Sequence, residues 1–239
     1  MDDDTRTLFQ VNTDTGAINI QSVIPINIFP EGGGNDFGMT FSCDNSLYVT
    51  SVITHTLYRL DLEGNTEIIG GLGKLGVNIS AIAAFGNNPV LLYGLGNGEF
   101  LNGETDSPNL YSIDVDTGSA TMIGPLGDEV GEYAQGGLAF DDDGSLWGIT
   151  DRRIVNETDV KLPSQIMRIN VDTGTATWVS DTNEVGFESL AVAPPAACNS
   201  PSNPDSDYPT IPTLNLTGRL LAIFVLLLAG IGILRRHIF

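Results

Sequence analysis

The chain has 239 residues, with 30 acidic and 10 basic side chains and a net charge of −20 at pH 7. A surface of that sign repels phosphate backbones and anionic headgroups, which excludes nucleic acid as a partner. The roughly 200 residues ahead of the last apolar stretch suffice for one domain with a real core and leave no room for a second.

Taken in chain order, Met1-Asp2-Asp3-Asp4 runs straight into a strand pattern with no basic start and no apolar run. That is not a signal peptide, and the expectation is a shortened reading of a longer gene. Four segments then align: Leu8 to Gly16, Leu57 to Gly64, Leu110 to Gly118 and Ile166 to Gly174, with starts 49, 53 and 56 residues apart. Spacing of this size marks propeller blades. Apolar residues alternate within them, as in Tyr58, Leu60 and Leu62 or Tyr111, Ile113 and Val115, so each predicts a strand with one buried face. The closing Asp-Thr-Gly predicts a hairpin turn with glycine supplying positive φ.

A second hairpin recurs in Gly38 to Val49 and Gly137 to Gly148, with a looser copy in Ile82 to Gly94. Each full unit is therefore four antiparallel strands, an inner pair and an outer pair, at about 38–70, 80–124 and 136–180. Leu8 to Ser22 adds an outer pair, and Phe187 to Ala193 one inner strand. The predicted fold is an all-β propeller over 1–195, either four-bladed and closed by its two ends or a fragment of a larger ring. Cys43 and Cys198 are the only cysteines; one disulfide and a buried free Cys43 are both open.

Residues 196–213 form a linker rich in Pro, Ser and Asp. In 214–239 an apolar run from Leu220 to Leu234 precedes Arg235 and Arg236. With Arg219 snorkelling, about 20 residues can cross a bilayer as one helix. Arg235 and Arg236 form a basic stop on the cytoplasmic side, leaving the acidic domain outside.

The Leu-Tyr-x-Ile-Asp-x-x-Thr-Gly repeats resemble those of exported bacterial β-propellers and are similar to lactonase-like and quinoprotein-type propellers. Such repeats host binding modules, enzymes and scaffolds alike. Ile211-Pro212-Thr213-Leu214, with the span and basic stop after it, resembles the IPTL-CTERM type of bacterial sorting signal, although Asn215-Leu216-Thr217-Gly218 replaces the usual Ser-Glu-Trp-like continuation. That resemblance implies an envelope location, a membrane tether and an exosortase-like sorting enzyme as partner.

Alternating strand directions send the long connections (23–37, 50–56, 71–79, 95–109, 125–135 and 151–165) to one face, where a rigid scaffold usually carries its site. The candidates there are Glu31, Asp36, His55, Glu99, Glu104, Asp106, Asp128, Glu129, Glu132, Asp151, Arg152 and Arg153. Lone His55 reads as a surface residue or a catalytic one. Asp128, Glu129 and Glu132 read as a solvated loop or as oxygen ligands for Ca²⁺. Arg152 and Arg153 read as a solvated pair or as an anchor for an anionic group. No nucleophile elbow or phosphate loop appears. The sequence thus predicts a binding or scaffold module with no resident cofactor, acting on an unidentified surface ligand. The alternative is a lactonase- or esterase-type hydrolase that holds a divalent cation in the central channel.

Overall fold

The computed structural model describes residues 7–12, 14–23, 36–61, 65–86, 89–96, 108–154 and 157–192. The chain divides into a unit Met1–Asn199 and a unit Ser200–Phe239, and only the first contains described residues. The linker, Ile211 to Leu214, the expected span and Arg235 and Arg236 therefore lie outside them, as do Glu31, Glu99, Glu104 and Asp106. Among the described residues, no helix is long and apolar enough to cross a membrane.

Strands β1 (Thr7–Val11) and β2 (Ile18–Val23) form a two-stranded sheet. Three larger sheets follow. The first is β3 (Phe37–Phe41), β4 (Leu47–Ser51), β5 (Thr56–Leu60) and β6 (Thr66–Ile69), and the second is β7 (Ile79–Phe85), β8 (Leu91–Gly96), β9 (Asn109–Ile113) and β10 (Ala120–Pro125). The third is β11 (Tyr133–Phe140), β12 (Leu146–Ile154), β14 (Pro163–Ile169) and β15 (Ala176–Val185), with β13 (Glu157–Lys161) paired to β12. Every pairing is antiparallel between neighbours along the sheet. The architecture is all-β and propeller-like, with its sheet bounds close to those read from the repeats.

The outer hairpins form for a local reason that recurs. Oδ1 of Asn12 accepts the amides of Asp14 and Thr15, that of Asp114 those of Asp116 and Thr117, and that of Asn170 those of Asp172 and Thr173. The amides of Gly16, Gly118 and Gly174 then donate to the carbonyls of Asn12, Asp114 and Asn170. A side chain that mimics a turn and a glycine free to take positive φ make the bend before any tertiary contact exists. The inner turns use Ser42 and Asp141 in the same place, with Asn45 (φ 65°) and Gly144 (φ 77°) at the left-handed position.

The expected single buried face per strand is corrected by the packing. On β5, Leu57 joins a core with Ile69, Ile79, Leu92, Tyr111 and Ile113, while Tyr58 and Leu60 join Leu47 and Val49 on the opposite face. On β9, Tyr111 and Ile113 face the first sheet and Leu110 faces Leu126, Tyr133, Met167 and Ile169 of the next core. A blade flanked by blades is covered on both sides, so alternation turns into nearly continuous burial, as in the fully buried β4. Burying each such Leu or Ile contributes about 1.5–3 kcal/mol.

Two further expectations are corrected. The fourth inner strand read over Phe187 to Ala193 is not a strand through 192; residues 186–192 are irregular. The connection 151–165 is not a loop throughout, because β12 runs on to Ile154 and pairs with β13. Asp151, Arg152 and Arg153 accordingly sit on a strand. Cys43, on the turn after β3, is disulfide-bonded, and Cys198 is the sequence's one other cysteine.

Candidate functional site

The inner strands β3, β7 and β11 begin at the same end of the assembly, and the irregular segment 188–190 comes in beside them. A Cβ on Gly38 would stand 3.2 Å from the Ala81 backbone, and one on Gly137 would stand 2.6 Å from the Leu190 nitrogen. Glycine lets the four segments approach at backbone distance. They enclose a cavity of about 390 Å³ lined by Asp36, Ser80, Gln135 and Glu188 and, on the apolar side, by Phe37, Met39, Ile82, Leu138 and Leu190.

Two of the polar lining residues are placed by bulges. Ile79 and Ala81 of β7 pair with Gly96 and Leu95, so Ser80 is an extra residue; Tyr133 and Gly136 of β11 pair with Arg152 and Thr150, which puts Gln135 in a second irregularity. A bulge re-aims one side chain without ending the ladder. For the other two, the hydrogen bonds lie at the residue's own backbone or at its neighbour's. The Asp36 carbonyl accepts the Val52 amide at 3.0 Å, and the Phe187 amide donates to Ser164 Oγ at 3.0 Å, which fixes Glu188 next to it.

Behind Glu188 lies Asp151, whose side chain is fully buried. Arg153 Nη2 is 2.5 Å and Lys161 Nζ 3.6 Å from its Oδ2. Desolvation, then the negative charges of Asp151 and Asp36, hold the Glu188 carboxyl above the usual carboxylate range; a hydrogen bond with Asp151 acts in the same direction and Lys161 against it. The mouth thus joins three carboxyl groups, two of them on the cavity wall, to a hydroxyl, a primary amide and an apolar floor. Chemically it can hold a small ligand that donates hydrogen bonds or carries positive charge.

The remaining candidates separate from this mouth. His55 occupies a turn at φ 47°, where its carbonyl accepts the Leu75 amide. Asp128 is exposed in a turn, and Glu129 Oε2 accepts the Trp178 amide at 2.9 Å. The Glu132 carbonyl accepts the Arg153 amide. Arg152 packs its guanidinium over Gly131 and stands 3.9 Å from Asp181. Among the described residues, no three His, Cys, Asp or Glu side chains are grouped so as to hold a metal ion, so the Ca²⁺ reading of Asp128, Glu129 and Glu132 gains no ligand cluster.

Asp36 and Asp151 were legible as candidates, whereas Ser80, Gln135, Glu188 and Lys161 were not singled out. A signal was present. Asp36, Ser80, Gln135 and Glu188 each stand two or three residues ahead of the repeat's apolar position at Met39, Ile82, Leu138 and Leu190.

No protein-family profile matches the chain, and no curated protein matches it. Among solved structures it is similar to a calcium-binding protein, regucalcin, from Agrobacterium tumefaciens, at 14% identity over 73% of this chain and 54% of that one, with a TM-score of 0.42. The chain thus spans about half the length of that protein.

Proposed function

We propose that this protein is a ligand-binding β-propeller of the bacterial cell envelope. In this reading the ring has four blades, and β1 and β2 belong to the closing one. The C-terminal segment spans the membrane as one helix, with Arg235 and Arg236 as the cytoplasmic stop, and an exosortase-like enzyme reads Ile211-Pro212-Thr213-Leu214. The carrying observation is the convergence of Asp36, Ser80, Gln135 and Glu188 on one cavity from four separate stretches of chain. A half-open concavity of a few hundred Å³, in which polar groups from separate stretches of chain meet beside apolar side chains, is a place where a small molecule can sit. A disulfide-bonded Cys43 fits an oxidising compartment, and the acidic surface fits a domain kept off an anionic bilayer.

A second reading, a lactonase- or esterase-type hydrolase using Ca²⁺, would draw on the oxygen donors of Asp36 and Glu188 in the same cavity. Metal analysis of the full-length protein in detergent, run with a lactone and ester screen, separates the two. The binding reading expects neither stoichiometric calcium nor turnover, and both together would overturn it. A thermal-shift screen of small molecules on the same protein, repeated on Glu188→Arg, tests the cavity itself: hits should vanish in the variant. Membrane fractionation of the Arg235→Glu, Arg236→Glu double variant should show weakened retention, and unchanged retention contradicts the tether.

A further inference from the structure

We propose that the disulfide of Cys43 is a redox-dependent clasp across the cavity, tying the first sheet to the segment that leaves the third and so holding two of the cavity's walls together. Cys43 is disulfide-bonded and Cys198 is the sequence's one other cysteine, so the bridge joins these two positions. Cys43 is half-buried on the turn directly after β3, and Cys198, outside the described residues, follows Val192 in the chain after Ala193-Pro194-Pro195-Ala196-Ala197. Both arms lead to the cavity. Strand β3 brings Phe37 and Met39 to its wall, and the segment 186–192 brings Glu188 and Leu190. The clasp does not depend on what the cavity binds.

Non-covalent packing is thin on both sides of this seam. Leu138 and Phe140 of β11 are 7% and 6% exposed, packed with Ala81, Ala83 and Leu95 of the second sheet, whereas Met39 and Phe41, at the same two places on β3 relative to the inner turn, are 42% and 63% exposed. The segment 186–192 is irregular, with 187–189 exposed; among the described residues its backbone is held by one hydrogen bond, from the Phe187 amide to Ser164 Oγ. A stretch with so few buried contacts and bonds opens at low cost. The bridge supplies the restraint that packing leaves out. The few residues between Val192 and Cys198 reach about 20 Å at full extension, so the bond keeps the segment beside β3 each time it lifts from Gly137. The clasp forms by thiol–disulfide exchange, in which two thiols pass two electrons and two protons to a disulfide-bearing oxidant that leaves as a dithiol.

Hydrogen–deuterium exchange of the full-length protein in detergent, without added ligand, tests this on the oxidised protein and after reduction by a water-soluble trialkylphosphine, which becomes the phosphine oxide as the two thiols form. A thiol count should find none before reduction and both cysteines after it, with a monomer on a non-reducing gel. Reduction should speed exchange about tenfold or more in 186–192 and in β3 while the second sheet stays protected. The melting midpoint should fall by about 10 °C, since closing a loop this long constrains the unfolded chain. The Cys43→Ser, Cys198→Ser double variant should behave as the reduced protein does, with no reductant present. Free thiols or a disulfide-linked dimer before reduction, or exchange in 186–192 unchanged by it, overturns the proposal. Protection lost from all three larger sheets together also overturns it, because the bridge would then staple the whole fold instead of one seam. None of these outcomes involves a ligand, so the clasp and the binding reading stand or fall separately.

Discussion

Gly124 and Gly174 meet across the seam between the second and third sheets: a Cβ on Gly124 would lie 2.2 Å from the Thr173 carbonyl oxygen, and one on Gly174 would lie 2.4 Å from that of Gly124. Gly70 and Gly118 repeat the arrangement one seam earlier, where Cβ atoms would come within 1.8 Å of the Thr117 oxygen and 2.3 Å of the Ile69 oxygen. In each case the end of a blade's outermost strand rests on the Thr-Gly turn of the next blade. The repeated glycines therefore serve blade docking as well as turn geometry. Gly124→Ala, at a position of ordinary φ, isolates the docking role. It should destabilise by about 1–3 kcal/mol through overpacking against backbone that cannot yield. Thermal melts checked by tryptophan fluorescence read this out, and an unchanged midpoint would remove the seam from the account.

The inner turn of the third sheet is organised by one carboxylate. Asp141 accepts Trp147 Nε1 at 2.7 Å and the amides of Asp143 and Ser145, while Arg168 lies over the Trp147 ring at 4.9 Å. The Trp147 donation first, then the turn amides and the Arg168 charge, outweigh desolvation and hold Asp141 below the usual carboxylate range. A depressed folded pKa contributes stability that is present above the unfolded value, about 3.9, and is lost as the pH falls through the folded one. Asp141→Ala should therefore cost about 1–3 kcal/mol at neutral pH, from unsatisfied donors. The gap to wild type should close in acid; a gap independent of pH contradicts the assignment.

Glu188 runs the other way. Its folded pKa is raised, so its charged form is a liability that sets in as the pH rises above the unfolded value, about 4.3, and is complete above the folded one. Glu188→Gln should raise the melting temperature at neutral pH and change little below pH 4, and a melting curve lowered at both would show that Glu188 supports the fold instead.

Asp151 is a buried carboxylate held by Arg153 and Lys161. Arg153→Ala should cost about 3 kcal/mol or more, because it strips a buried charge of its nearest partner. Adding Asp151→Leu to that variant should recover part of the loss. A double variant as unstable as the sum of the two single ones would contradict a buried pair.

Fold class was legible because blade hairpins are local chemistry: Asn12, Asp114 and Asn170 with Gly16, Gly118 and Gly174 need no distant contact to bend the chain. The second buried face of each strand is not legible in the sequence, because alternation in one segment says nothing of a neighbour covering the other side, as at Leu57 and Tyr58. Arg152 and Arg153 read as loop residues in the sequence because β13 answers β12 through only two residue pairs, Arg153 with Lys161 and Ile154 with Glu157. The site was hardest to see. Asp36 and Glu188 are far apart in sequence, and their approach depends on the close passage of 188–190 along Gly137. Bulges at Ser80 and Gln135 leave no mark in a period-two pattern.

The most direct test of the central claim is hydrogen–deuterium exchange of the full-length protein with and without a saturating small-molecule hit from the thermal-shift screen. Binding at the common mouth predicts slowed exchange together in the segments around Asp36, Ser80, Gln135 and Glu188, absent in Glu188→Gln. Slowing confined to one of the four segments, or located elsewhere in the chain, would contradict it.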